Sequence, residues 1–235
     1  MGEGGTDDEL ILPFISSASI ACGYHAGNEK TMRDTANLCL QYKVAIGAHP
    51  SFNDRENFGR NEMHISPDRV YQLIAEQLAV ISTTIKPATL HHVKPHGALY
   101  NMAAREVALA AAVARAVKDF DEKLIVYGLA GSHSIREAKK AGLRTAGEVF
   151  ADRRYQDDGT LTPRKESHAL IDDTDMMIAQ VLQMIKEKTV TSFTGKRVAV
   201  LAETICIHSD GKNAVDFAKT IYQQLKQQGI EIKAC

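Results

Sequence analysis

The chain of 235 residues lacks long apolar runs and an excess of charge of either sign. Its apolar stretches are far shorter than the roughly 18 residues that a membrane helix needs, so we expect no membrane partner. With 28 basic and 29 acidic residues the net charge is −1, which gives no electrostatic basis for binding nucleic acid or anionic membranes. No signal peptide is expected either, because no basic start precedes an apolar segment.

Cysteine is also scarce, and no two cysteines form a C-x-x-C pair. The four are Cys22, Cys39, Cys206 and Cys235. Cys22 and Cys206 fall in short apolar runs typical of strands, where a thiol acts as a small buried apolar group. This usage favours reduced thiols over disulfides, and therefore a cytoplasmic protein.

Several well-known catalytic and nucleotide-binding motifs are missing. The segment Thr194–Arg197 (TGKR) lacks both the upstream glycine and the hydroxyl residue of a P-loop. There is no G-x-G-x-x-G after a strand-like run, no G-x-S-x-G and no H-E-x-x-H. These absences leave little support for a dinucleotide-binding protein, a serine hydrolase or a zincin protease.

Apolar residues recur with two spacings that alternate along the chain, which is typical of α/β proteins. Helical spacing predicts helices around residues 70–81, 107–117, 176–185 and 214–225, and more weakly at 31–40. Short, partly β-branched runs between them predict parallel strands with helical crossovers. We expect a single domain covering residues 1–235, with a candidate extra strand at 230–232 and long loops at 51–63 and 151–167.

The most informative positive feature is a set of histidines at the ends of the strand-like runs. They lie in the strings GYHAGN, GAHP, KPHGALYN and CIHSDG, which contain His25, His49, His96 and His208. A fifth string of the same form, EVFADRRY, has Asp and Arg in place of His. Parallel α/β enzymes assemble one site from such strand ends. We therefore predict that these side chains converge in a polar pocket at one end of the sheet.

Some of these residues also have a purely structural interpretation. His25 precedes Ala-Gly and a helix start, so it is either a cap residue or part of an anion site. His49 is held in an extended conformation by Pro50, which favours a role in the site. His208 and Asp210 precede a glycine and a helix, where capping is the alternative.

The segment KPHG is the densest cluster of chemistry in the chain. Lys94 and His96 are two residues apart and share one side if the chain is extended. Lysine neutralises carboxylates or phosphates, while histidine moves protons or binds metal. Glu148, Asp152 and Arg153 form a second, mixed-charge group, for which a surface salt-bridge cluster is the alternative.

Together the strings resemble the LamB/YcsF family. The resemblance rests, in chain order, on SSASIACGYHAGN, VAIGAHPSFND, NFGR, HVKPHGALYNMAA, LIVYGLAGS, GEVFADRRYQDDGTLTPR and TICIHSDG. One such string is a weak signal. The occurrence of all these strings in the same order over most of the chain is a specific signal.

The resemblance implies both a fold and an activity. The fold is α/β, an irregular seven-stranded β/α barrel similar to those of sugar deacetylases and glycoside hydrolases. The activity is that of the A subunit of an ATP-dependent 5-oxoprolinase, a cyclic-amide hydrolase that opens 5-oxo-L-proline to L-glutamate. ATP is then a co-substrate, expected with Mg²⁺, and no tightly bound cofactor is expected. The implied partners are the B and C subunits of that enzyme and the small-molecule substrate.

The strings and the resemblance together predict two groups of site residues. The expected catalytic residues are His25, His49, Lys94, His96, Asp152, His208 and Asp210. The expected substrate-binding residues are Asn28, Arg60, Tyr100, Asn101, Glu148 and Arg153. No bound metal is expected; if the reaction needed one, His25, His49 and His96 are the candidate ligands.

The chain departs from the family pattern at its start. The family opens with a strand similar to DLNCD before a GEG segment, whereas residues 1–4 match only the end of that motif. We therefore expect the first strand and its carboxylates to be absent, with a gap beside the strand near residues 18–22. Smaller departures are Asn28 in place of an acidic residue and Ser209 in place of glycine.

Two other classes of function remain open at this point. One is a metal-dependent, deacetylase-like hydrolase acting on a carbohydrate or N-acyl substrate, with three imidazoles as ligands. Stoichiometric metal after dialysis would favour it. The other is a non-catalytic protein that holds a small carboxylate, which tight 5-oxoproline binding without turnover would favour.

Overall fold

The computed structural model describes residues 1–5, 7–208 and 214–235. Its strands are β1 (Ser17–Ala21), β2 (Ala45–His49), β3 (His92–Val93), β4 (Ile125–Leu129), β5 (Arg144–Phe150), β6 (Thr189–Thr191), β7 (Arg197–Ala199) and β8 (Thr204–Cys206). Among the described residues, six strands form one parallel sheet in the order β1-β2-β3-β4-β5-β8. Strands β6 and β7 form a separate antiparallel hairpin.

Helices connect the strands on the outside of the sheet. They are α1 (Asp8–Ile11), α2 (Glu29–Tyr42), α3 (Pro67–Thr84), α4 (Gly97–Arg105), α5 (Val107–Phe120), α6 (His133–Lys140), α7 (Thr174–Lys186) and α8 (Ala214–Gln227). The start of α3 shows why these segments are helical, since the Ser66 hydroxyl accepts from the Arg69 N–H and Pro67 occupies the first turn. None of the helices in the described part is long and apolar enough to span a membrane.

The sheet is an open half-barrel, in agreement with the predicted β/α architecture. Strands β1 and β8 are its two edges, and no described residues form a strand between them. Met1 touches the outer edge of β1: its N–H donates to the Ser19 carbonyl and its carbonyl accepts from the Ala21 N–H, both at 3.0 Å. Met1 therefore sits in parallel register beside Ile20. The expected gap is closed at this one point, and both edges border a cavity.

Three local expectations differ from the structure. Residues 230–232 form no strand and instead line the cavity. The stretch after β5 is less irregular than a plain loop, because bridges join Tyr155 to Leu161 and Arg153 to Leu170. The hairpin of β6 and β7 was not expected, since its strands are only three residues long. Such short pairings carry too few residues to show a period of two.

The inner face of the half-barrel sheet carries polar side chains. The His92 side chain points inward, stacks on Tyr127 with ring centroids 4.1 Å apart, and lies 3.1 Å from the Ser19 hydroxyl through Nε2. Glycine is required opposite it: a Cβ at Gly47 would lie 2.1 Å from His92 Nε2. Apolar packing between helices and sheet, for example by Ile20, holds the outer face.

The substitution Gly47→Ala should lower the free energy of unfolding by about 1–3 kcal/mol, because the new methyl group overlaps the His92 ring. Chemical denaturation of the variant checks this. The double variant Gly47→Ala/His92→Ala should lose less free energy of unfolding than the sum of the two single losses, because removing the His92 ring removes the overlap. Purely additive effects would show that the two positions do not share space.

Candidate active site

A cavity of about 850 Å³ opens at the carboxyl ends of the strands and extends into the opening between β1 and β8. Its size is within the range of small-molecule sites. Nine of the predicted site residues line it: His49, Arg60, Lys94, His96, Tyr100, Asn101, Glu148, Arg153 and His208. Register places them together, since Ala21 pairs with His49 and Phe150 pairs with Cys206 at the ends of neighbouring strands.

The other four predicted residues have different positions. His25 is buried behind the cavity wall, and Asp152 contacts His208 from behind. Asp210 lies outside the described residues. Asn28 is exposed and does not line the cavity; its side chain accepts from the Thr31 N–H and caps α2. The expectation that Asn28 binds substrate is therefore not supported by its position, because its amide already serves the helix start.

Three histidines form the centre of the site. The His25 and His96 rings stack with centroids 3.8 Å apart, and His49 meets both edge-on. His49 Nδ1 lies 2.6 Å from the Lys94 carbonyl, and His96 Nε2 lies 2.8 Å from the Phe58 carbonyl. The two remaining nitrogens, His49 Nε2 and His96 Nδ1, face each other at 3.0 Å.

The loop after β2 holds these rings in place. Ser51 contacts His25 Nδ1 at 3.0 Å, and its main chain is held on both sides by the buried Gln77 of α3. Gly59, at φ +64°, approaches so closely that a Cβ there would lie 3.0 Å from His25 and 3.1 Å from His96. The predicted loop at 51–63 thus serves the site by packing directly on its rings.

Burial controls the protonation of this centre. Burial, helped by His96 and Lys94, holds the pKa of His49 well below its usual value. Burial and the neighbouring His25 lower the pKa of His96 to about 3. Both rings are therefore neutral near pH 7.

Glu3 is a site residue that the sequence analysis missed. Its carboxylate lies 3.2 Å from His25 Nε2 and close to His49 and His96. Burial alone would raise the pKa of Glu3, but the hydrogen bond with His25, the N-terminal ammonium and the neighbouring histidines together outweigh burial, and the pKa falls to about 2. The expected loss concerns the carboxylates of the family's first strand, whereas Glu3 belongs to the GEG segment that the chain retains, and it supplies a carboxylate to the site.

Lys94 is anchored between two strands. Its Nζ lies 2.7 Å from Glu148 Oε1 on β5 and 3.1 Å from the Cys206 sulfur on β8. Burial alone would lower the pKa of Lys94, but the Cys206 sulfur and the Glu148 carboxylate raise it, so the side chain stays an ammonium. The Cys206 thiol is itself neutral, since burial raises its pKa to about 12. The attraction to the Glu148 carboxylate is therefore the interaction that keeps Lys94 protonated.

A second acid–base pair lies at the end of β8. His208 Nδ1 is 2.8 Å from Asp152 Oδ2, and the ring packs against Phe150. Burial alone would raise the pKa of Asp152, but the contact with His208 lowers it, so the carboxylate is ionised. A carboxylate on Nδ1 orients the ring and leaves Nε2 as the nitrogen available for proton transfer, the arrangement of an oriented general base.

Arg153 brings a further cation to the cavity. One of its terminal nitrogens donates to the Thr162 carbonyl, while its buried Nε has no hydrogen-bond partner among the described residues. The Tyr100 hydroxyl is likewise unpaired within the described ranges, and burial with Glu148 nearby raises its pKa well above the usual value. Both atoms are buried donors beside the cavity whose hydrogen bonds are not made within the described ranges.

The substitution Lys94→Met should lower the free energy of unfolding by about 3–5 kcal/mol, because it leaves the Glu148 carboxylate buried without its partner. The side chains of Lys94 and Glu148 are only 12% and 3% exposed, so solvent cannot replace the pair. The matched control is Lys30→Met, which breaks an exposed pair with Asp34 and should cost less than about 0.5 kcal/mol. Urea denaturation measures both, and equal effects would contradict the assigned pairing.

Comparison with known proteins identifies the family of the chain. The chain is 50% identical over 228 residues to the A subunit of 5-oxoprolinase from Geobacillus kaustophilus, covering 96% of this chain and 89% of the relative. It is 52% identical over 230 residues to the A subunit of 5-oxoprolinase from Shouchella clausii, covering 97% and 91%. A crystal structure of a lactam utilization protein from Thermus thermophilus matches with a TM-score of 0.89 at 41% identity, covering 97% and 92%. The model of the LamB/YcsF family matches residues 1–235, and the chain belongs to this family.

Proposed function

We propose that this chain is the A subunit of an ATP-dependent 5-oxoprolinase and opens the lactam of 5-oxo-L-proline to give L-glutamate. The observation that carries the proposal is about 50% identity, over nearly the whole chain, to relatives named as the A subunit of 5-oxoprolinase. The cavity supports it, because it presents cations, an oriented histidine and unpaired donors around one small-molecule space.

The chemistry of the substrate explains what such a site needs. A five-membered lactam is a resonance-stabilised amide, and its opening near neutral pH needs coupling to a favourable reaction. Transfer of the γ-phosphoryl group of ATP to the lactam oxygen releases ADP and makes the ring carbon open to attack by water. The ring nitrogen then leaves with a proton, and a second water hydrolyses the resulting acyl phosphate to glutamate and phosphate. The steps call for cations near oxyanions and for a base near water.

The described residues supply these groups at separate places in the cavity. Lys94 and Arg153 are two of the cations that line it, and the unpaired Nε of Arg153 suits a carboxylate or phosphate oxygen. His208, oriented by Asp152, is the proposed base for water. Tyr100 is a proposed hydrogen-bond donor to the developing charge, since its raised pKa keeps it protonated.

The partners and the co-substrate are part of the proposal. The relatives are named as one lettered subunit, which points to a multi-subunit enzyme, and we propose the B and C subunits as partners. ATP, bound with Mg²⁺, is proposed as co-substrate. Because the sequence carries no P-loop, we propose that a partner contributes to nucleotide binding. The four free thiols are consistent with the proposed cytoplasmic location.

Reconstitution tests the proposal. The chain is mixed with the B and C subunits, and ADP and glutamate are measured with and without 5-oxoproline. We expect ATP hydrolysis that depends on 5-oxoproline, and we expect His208→Gln to lower kcat by at least about 100-fold, as for loss of a general base. Lys30→Met, on an exposed face of α2, is the matched control and should keep full activity.

Two results would overturn the proposal. One is the absence of 5-oxoproline-dependent turnover in the complete, folded mixture. The other is release of acetate from N-acetylated sugars by this chain alone without ATP, which would favour the deacetylase-like alternative instead.

A further inference from the structure

Two nitrogen atoms in the histidine cluster face each other with no hydrogen atom between them if both rings are neutral. A carbonyl oxygen only accepts hydrogen bonds, so His49 donates from Nδ1 to Lys94 and His96 donates from Nε2 to Phe58. A neutral imidazole carries a single N–H. His49 Nε2 and His96 Nδ1 therefore both present lone pairs, and they do so across 3.0 Å.

Such a contact is repulsive unless a cation is shared by the two nitrogens. A proton is one candidate, but it would make one ring an imidazolium in a place where His96 is only 8% exposed. A metal ion is the other candidate. Two nitrogens bound to zinc at their usual distances lie roughly 2.9–3.4 Å apart for bond angles between 90° and 109°. The observed spacing of 3.0 Å falls inside that range.

A third candidate ligand, the negatively charged carboxylate of Glu3, lies beside the two histidines. The ligand atoms of Glu3, His49 and His96 all lie within 4.8 Å of one another. The Glu3 side chain is 17% exposed and is steered by its contact with His25 Nε2. His25 itself contacts Ser51 and Glu3 through its two nitrogens, so it orients the carboxylate and leaves the ligand position to Glu3.

We propose that Glu3, His49 and His96 form a binding site for a divalent transition-metal ion. The ligands are the Glu3 carboxylate, His49 Nε2 and His96 Nδ1. Imidazole nitrogens select zinc and its neighbours over Mg²⁺, so this site is distinct from a Mg²⁺ that accompanies ATP. This assignment replaces His25 with Glu3 in the ligand set expected from the sequence.

The surroundings have the form of a supporting shell for a metal. Metal-bound histidines usually donate their second nitrogen to a carbonyl or carboxylate, which fixes the tautomer and the ring orientation. Both rings do so here, through the carbonyls of Lys94 and Phe58. Glu3, His49 and His96 also line the cavity, so a fourth position faces the space where substrate or water binds. Three protein ligands with one open position are typical of catalytic zinc sites.

Metal binding by the isolated full chain is the test, and it needs neither partners nor substrate. The protein is stripped with a chelator, dialysed, and titrated with Zn²⁺ in a calorimeter and with Co²⁺ in an absorption spectrometer. We expect one equivalent of each metal to bind, and Co²⁺ to give visible bands of a four- or five-coordinate nitrogen–oxygen site. His49→Ala and His96→Ala should weaken binding more than about 100-fold, since even changes to supporting residues cost 10–100-fold.

Matched variants keep the test decisive. His64→Ala removes an exposed histidine outside the ligand set and should bind metal like the parent chain. If an alanine variant does not fold by circular dichroism, His96→Asn and Glu3→Gln keep the shape of the side chains and should still weaken binding by at least about 10-fold. Absence of a stoichiometric site, or binding that is unchanged in folded ligand variants, would overturn the proposal.

The result is separable from the proposed enzymatic function. A chain that binds one metal but shows no 5-oxoproline-dependent turnover supports the metal site and opposes the proposed function. A fully active complex whose metal-free chain binds no added metal gives the reverse outcome.

Discussion

The hydrogen bond from His49 Nδ1 to the Lys94 carbonyl, 2.6 Å long, is the contact on which the site depends. It joins the end of β2 to the end of β3 and fixes which nitrogen of His49 faces the cavity. The side chain of the same Lys94 reaches Glu148 on β5 and Cys206 on β8. A single residue therefore ties four strand ends together, with its main chain on one side and its ammonium on the other.

This arrangement carries an energetic cost that the rest of the fold has to offset. An ion pair and several imidazoles are removed from water at the carboxyl ends of the strands, and buried charge is tolerated only where partners are present. The apolar contacts between the outer helices and the sheet provide the stabilisation, as Val93 and Val126 illustrate by being almost fully buried on the outer face. The apolar packing thus keeps the strands rigid, and the rigid strands hold the polar side chains at their carboxyl ends.

Much of the fold and part of the site were predictable from sequence. The alternation of apolar periods predicted the parallel sheet, and histidines after strand-like runs predicted where the cavity lies, because parallel strands all end at one edge. The prediction that Asn28 binds substrate gains no support from its position, because the N-x-x-T pattern there forms a helix cap. The roles of the individual side chains in catalysis stay predictions.

Other parts were not predictable for physical reasons. Glu3 lies in a glycine-rich opening with no periodic pattern, and only the folded chain brings it to His25. The carbonyls of Lys94 and Phe58 set the tautomers of two rings, and a main-chain carbonyl is the same for every residue type. The contact of Lys94 with Cys206 spans 112 positions, a separation over which local pattern carries no information.

The position of Cys206 also has a consequence for the reactivity of the protein. A thiol beside an ammonium is often a reactive nucleophile, but here burial raises the pKa to about 12 and leaves the thiol protonated. Cys22 and Cys39 are buried as well, whereas Cys235 is exposed. Alkylating and oxidising reagents should therefore react with one accessible sulfur, so that a probe can be attached at a single defined point while the Cys206 thiol beside the cavity remains unmodified.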